Sequence, residues 1–141
     1  MAITSAIANS FKQEVLVEGH NLTNGADTIK LALFTSSATM GAGTTAYSTS
    51  QESSGTNYSA GGSNLTNVTP ALSGSTAVVD FADLTFSTAT VTARGCLIYN
   101  STNSNKAICA IDFGGDKTST AGDFTVVFPS ATATGAIIRL A

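Results

Sequence analysis

Hydrophobic and polar positions alternate with a period of two in several short segments of this chain, set around one densely apolar region. The densest apolar stretch is residues 90–113, TVTARGCLIYNSTNSNKAICAIDF. Residues 91–99 and 106–113 are nearly all apolar or β-branched. They flank Asn100-Ser101-Thr102-Asn103-Ser104-Asn105, a block of turn formers. Short apolar runs around an Asn/Ser cluster predict a β-hairpin. Arg94 is the only charge within the first run, and Asp112 the only one in the second after its opening Lys106. Both faces of the pair are therefore expected to be covered, which puts it at the centre of a sandwich rather than at a solvated edge.

The flanking segments predict the rest. Ser10 with Gln13 has the spacing of a capping box, Phe11, Val15 and Leu16 fall on one face, and Gly19 supplies a stop. A short helix is expected over 10–18, plugging one end of the sandwich. Residues 28–35, TIKLALFT, alternate as a half-buried strand with Lys30 and Ala32 outward. Residues 36–62 change character: Ser, Thr, Gly, Ala and Asn dominate, with Tyr47 and Tyr58 as isolated aromatics. That stretch is too polar for core strands and reads as a long surface excursion with at most a short edge strand over 44–49. Residues 64–72 have β character interrupted by Pro70, as at an edge. A turn at 73–75 leads to a strand over 76–81, a break at Ala82-Asp83, and the central hairpin. After it, 114–123 reads as a polar loop, 124–128 as a strand and 136–140 as a closing strand. Eight or nine strands at this spacing predict a mainly β fold. The expected architecture is an antiparallel β-sandwich, jelly-roll or immunoglobulin-like, with one short N-terminal helix. Residues 1–141 are expected to form one domain, with 1–20 as an N-terminal arm and helix.

Composition narrows the function classes. Only 11% of residues are charged, against about 25% in ordinary soluble domains. Serine and threonine number 39, so the surface must be rich in hydroxyls. Such a surface suits either a secreted β protein or one covered by neighbours in an assembly. The six basic residues are scattered and outnumbered by nine acids, which argues against nucleic-acid binding. No apolar run is long enough to span a bilayer. The start, MAITSAIANSFKQEV, lacks a charged n-region, so the chain is expected to begin near Met1 without a secretory signal.

Candidate chemistry is thin. Cys96 and Cys109 fall nearly opposite each other if Asn100 faces Lys106; a disulfide is one reading, and a pair of small buried hydrophobes the favoured one. His20 is the only histidine and sits in a predicted turn, a poor place for a Ser–His–Asp base. Asp112, Asp116 and Asp123 could gather on calcium, but their spacing matches no EF-hand. Asp80 and Asp83 would face opposite sides of a strand, unlike a glycosidase pair. Asp112-Phe113-Gly114 has no kinase context, and Gly114-Gly115-Asp116-Lys117-Thr118 lacks phosphate-loop spacing. Asn21, Asn57, Asn64, Asn67 and Asn100 each open an N-x-Ser/Thr triplet, which so much Ser and Thr explains by chance. No catalytic residue, cofactor or metal site is expected, because no cluster supplies a base, a nucleophile and a stabiliser together.

Four stretches carry a resemblance: SFKQEVL, TIKLALFTSSATMGAGTTAYS, TARGCLIYNSTNSNKAICAIDFGGDKTSTAGDFTVVFP and AIIRLA. Together they resemble small structural proteins of tailed bacteriophages, over nearly the whole chain. The resemblance implies a virion protein made in the bacterial host cytoplasm, and brings no catalytic residues with it.

The expected function is therefore a non-enzymatic virion component. First choice is a capsid decoration or cement protein binding the major capsid protein and sister copies as a homo-oligomer. The alternative is a neck, tail or fibre accessory protein that attaches to the tail or binds host-surface glycans. Partners are expected to meet the N-terminal segment through Ile3, Ile7 and Phe11, and the excursion through Tyr47 and Tyr58. Removing residues 1–9 is expected to abolish particle binding and leave the fold intact.

Overall fold

The computed structural model describes residues 2–141. Along the chain come strand β1 (Ala6–Ile7), helix α1 (Asn9–Glu14) with a 3₁₀ turn (Val15–Val17), β2 (Ile29–Phe34), β3 (Ser63–Asn64), β4 (Asn67–Ser73), β5 (Thr76–Phe81), β6 (Leu84–Asn100), β7 (Lys106–Val126) and β8 (Ile138–Leu140). They form an antiparallel β-sandwich. A five-stranded sheet runs β1-β7-β6-β2-β3, and a three-stranded sheet β4-β5-β8. Val79, Phe81 and Ile138 of the small sheet join one core with Phe86, Phe124 and Val126 of the large one.

The predicted hairpin is the spine. β6 and β7 pair from Asn100↔Lys106 at the tip to Leu84↔Val126 at the base. At the tip end every residue from Gly95 to Asn100 is buried, whichever face it points to. The same holds in β2, where Ala32 is as buried as Leu31 and Leu33, so this strand is covered on both faces rather than half-buried. The three-stranded sheet covers one face of the ribbon. Covering the other requires material that the sequence reading treated as surface.

That material is the 36–62 segment, and here the expectation is corrected. Ala38, Met40 and Tyr58 belong to the core, and Ser53 is buried. The segment touches the sheet through single bridges, Phe34↔Glu52, Ala46↔Lys106 and Thr56↔Thr90, instead of an edge strand over 44–49. Small residues replace apolar bulk by letting backbones approach. At Gly62 (φ 75) a side chain would collide with the Leu31 carbonyl, so only glycine satisfies both the left-handed backbone and the contact.

Two further expectations change, while the favoured reading of the two cysteines as small buried hydrophobes holds. Residues 114–123 are not a loop but the continuation of β7. Hydroxyl pairs Thr92–Thr118 (2.8 Å) and Thr85–Thr125 (3.0 Å) span the ribbon, and bulges at Gly114 (φ 82) and Ala121 (φ 45) absorb its irregularity. The helix begins at Asn9, with Ala8 in the cap position and Ser10 inside the first turn, so no capping box forms. It ends through Glu18 at φ 61, one residue before the predicted Gly19. Cys96 faces Ile111 and Cys109 faces Ile98. A bulge between Ile98 and Tyr99 offsets the two cysteines, and both are free, buried thiols.

The N-terminal segment is part of the body. β1 pairs with β7 at Ala110 and Cys109, and Ile3 bridges Met40. Ile3 is 5% exposed and Ala8 1%. Loss of residues 2–8 therefore removes core, contrary to the expectation of an intact fold. The truncated chain should lose on the order of 3 kcal/mol of stability, read as a lower denaturant midpoint; an unchanged midpoint would refute this packing.

Candidate functional site

Two polar clusters lie inside the molecule. The first centres on Glu52, the single charge in the 36–62 segment. Gln51 takes a left-handed conformation (φ 63), and the chain turns so that Glu52 meets Phe34 of β2. Its Oε2 accepts from the Tyr47 hydroxyl at 2.6 Å. Its Oε1 accepts from the Tyr58 hydroxyl at 2.7 Å and the Gly61 N–H at 2.8 Å. The Tyr58 oxygen accepts from the Leu33 N–H at 2.8 Å, and the Tyr99 hydroxyl donates to the Gly61 carbonyl at 2.6 Å. The rings of Tyr47 and Tyr99 stack with centroids 4.5 Å apart.

This cluster is a clamp, not a reactive centre. Burial, reinforced by the bond to Glu52, pushes the Tyr47 and Tyr58 phenols above their ordinary range. Burial and the Glu52 charge push Tyr99 to about 12. None of the three phenols can exchange a proton near neutrality. Bonds to an ionised acceptor contribute about 1.5–3 kcal/mol each, enough to pin a segment with little apolar content to β2 and β6.

The second cluster joins the helix end to the hairpin tip. Asn100 is fully buried and takes N–H donors from Thr102 and Asn103 on its side-chain oxygen. Its amide nitrogen therefore points the other way, donating to Asp27 Oδ2 at 2.7 Å and to His20 Nδ1 at 3.1 Å. Because Nδ1 accepts, the ring proton sits on Nε2, which donates to Glu14 Oε1 at 2.9 Å. Lys106 lies 3.6 Å from the other Glu14 oxygen, and Phe11 packs on the ring. Both nitrogens of His20 are engaged and its side chain has no exposed surface. The only histidine is thus a structural strut, with no free lone pair for a substrate.

Several of the acids are similarly occupied. The Gly114 N–H and then Arg94 (2.9 Å) hold the Asp112 carboxyl below the usual carboxylate range. Asp123 accepts from the Thr88 N–H, Asp83 from the Phe128 N–H and Asp80 from its neighbour Phe81. Among the described residues no group of three metal-ligating side chains comes together. No helix among them is long and apolar enough to cross a membrane.

The residues expected to meet partners lie elsewhere than at the surface. Ile3, Phe11 and Tyr58 are buried in the core, and Ile7 and Tyr47 are partly buried against it. The large apolar side chains that are exposed are Leu16, Val17, Val68, Leu72, Val127 and Leu140. Two open grooves mark the surface. One, about 870 Å³, runs between the N-terminal segment and residues 37–51 and is walled by Thr4, Ser37, Thr44, Thr45, Ser48 and Gln51. The other, about 520 Å³, is more apolar and follows β7. Sequence reasoning missed Glu52 and Asn100. For Glu52 a signal existed: a lone charge in a long polar stretch has to be accounted for.

No protein-family model matches the chain, and no match was found among curated proteins or solved structures.

Replacing Glu52 with alanine leaves two phenols and an N–H without an acceptor. The variant should lose about 3 kcal/mol, measured by chemical denaturation; a loss below about 1 kcal/mol would mean the clamp is decorative. Alkaline pH provides a second check. The phenols have raised values in the fold, so their stabilisation is complete below the ordinary tyrosine value of about 10. It is lost as pH rises through about 12 for Tyr99. Phenolate absorbance should lag behind that of a free tyrosine and then rise together with unfolding.

Proposed function

We propose that this protein is a non-enzymatic structural component of a bacteriophage virion. In this reading it is a capsid decoration or cement protein, seated on the major capsid protein beside sister copies. The observation that carries the reading is the distribution of polarity. Charge is sparse, 11% of residues, and part of it is committed within the chain: Glu14, Glu52 and Asp27 serve the two internal clusters, and Arg94 and Asp112 pair with each other at the surface. Hydroxyls and exposed aliphatics, Leu16, Val17, Leu72 and Leu140 among them, remain outside. Removing charge from water costs several kcal/mol per ion unless it is paired, so a charge-poor exterior is cheap to cover with neighbours. The resemblance of the chain to small phage structural proteins supports the same reading.

One observation favours a neck, tail or fibre role with glycan binding: the groove of about 870 Å³ sets hydroxyl and amide groups (Thr4, Ser37, Thr44, Thr45, Ser48, Gln51) beside apolar wall from Phe34, Met40 and Leu97, the mixture a sugar presents. Tyr47 and Tyr58 cannot serve as its sugar platforms, since their hydroxyls are turned onto Glu52.

Copy number per purified phage particle, by quantitative mass spectrometry, separates the readings. Hundreds of copies are expected for a decoration protein. A few dozen or fewer would move the protein to the neck or tail, and its absence from particles would end the virion reading.

A further inference from the structure

We propose that the side of the sandwich along the free edge of β7 is a self-association surface, on which two copies of this chain meet about a two-fold axis. The inference goes beyond the virion reading and does not rest on it, because purified protein alone is enough to test it.

The two sheets do not end together. β1 pairs with β7 only at Ala110 and Cys109, and β7 has no outer neighbour strand beyond that point. The small sheet stops at β8. An open groove of about 520 Å³ results, lined by Ile111, Phe113 and Phe124 of β7 and by Ile137 just before β8. Ile111, Phe113 and Ile137 pack on the core yet remain only partly buried. Val127, also at the groove, is 71% exposed.

A second copy is the occupant this patch fits. A two-fold contact uses the same surface twice, so the surface must complement itself. Here the hole and an apolar knob, Val127, lie side by side. The charges at the groove are Lys117 and Asp123, one of each sign. Among the described residues neither takes part in an ion pair within the chain. In an antiparallel arrangement Lys117 faces the partner's Asp123 and Asp123 faces the partner's Lys117. A groove of one sign would repel its own copy. Continuous strand addition is not the mode. The left-handed residues Gly114 (φ 82) and Ala121 (φ 45) break the edge of β7, a device that blunts exposed edges. Contact is therefore made by side chains across the groove.

Sedimentation equilibrium over a concentration series tests the proposal. The wild-type chain should show a concentration-dependent dimer. Lys117→Asp and Val127→Asp should each weaken it by about tenfold or more. The double exchange Lys117→Asp with Asp123→Lys should restore most of the affinity. Since Asp123 also accepts from the Thr88 N–H, thermal unfolding is followed for each variant. Val127 is a surface side chain, so Val127→Asp keeps the test valid if the exchange fails to fold. A monomer at every concentration overturns the proposal and leaves the groove to a foreign chain. A dimer indifferent to Lys117→Asp and Val127→Asp overturns it too.

Discussion

Burial of the hairpin tip on both faces is the constraint from which the rest follows. A strand whose two sides are apolar must be covered twice, or it exposes a large apolar sheet. The three-stranded sheet covers one side. The other is covered by the N-terminal segment and residues 36–62, which carry few large apolar groups. Ile3, Ala38 and Met40 supply what they can, and glycine supplies the close approach. In such a layer backbone proximity takes over part of the role that bulky side chains play elsewhere.

A thin cover needs fastening by something other than hydrophobic area. Glu52 does this for the 36–62 segment, gathering two phenols and an N–H onto one carboxylate. Asn100 does it at the hairpin tip, where one amide satisfies its own turn, the loop at Asp27 and the imidazole that reaches the helix. Buried polar networks of this kind specify one arrangement because a half-made version leaves costly unsatisfied groups. They also engage most of its distinctive side chains: its histidine, three tyrosines and several of its acids take part in holding it together.

The same division shapes the exterior. With only 11% of residues charged, hydroxyls, backbone edges and scattered aliphatics make up much of what faces solvent. A surface of that kind is inexpensive to dehydrate and offers little long-range steering, which suits a subunit placed by its neighbours in a lattice better than one that must capture a charged ligand. The overhang of β7 past β8 adds a local feature to this neutral background, an apolar groove with one charge of each sign.

Much of the fold could be read from the residues alone. The 76–81 strand matches β5 residue for residue, and the Asn/Ser block falls between β6 and β7 with Asn100 opposite Lys106. Pro70 coincides with a register shift in β4. These features are local: period-two alternation and turn chemistry act within a few residues, so the sequence displays them directly. What tertiary structure decided is where the polar segments go. Residues 114–123 look like a loop in isolation and become strand because β6 lies alongside to pair with them. Residues 36–62 look solvated and become a layer because β2 and β6 leave a face that must be covered. Ile3, Phe11 and Tyr58 look like offerings to a partner and turn inward for the same reason. Alternation along a chain tells which side of a strand is apolar, but whether that side meets water, a neighbour or the chain's own tail depends on contacts between residues far apart in sequence, and those exist only once the whole chain has folded.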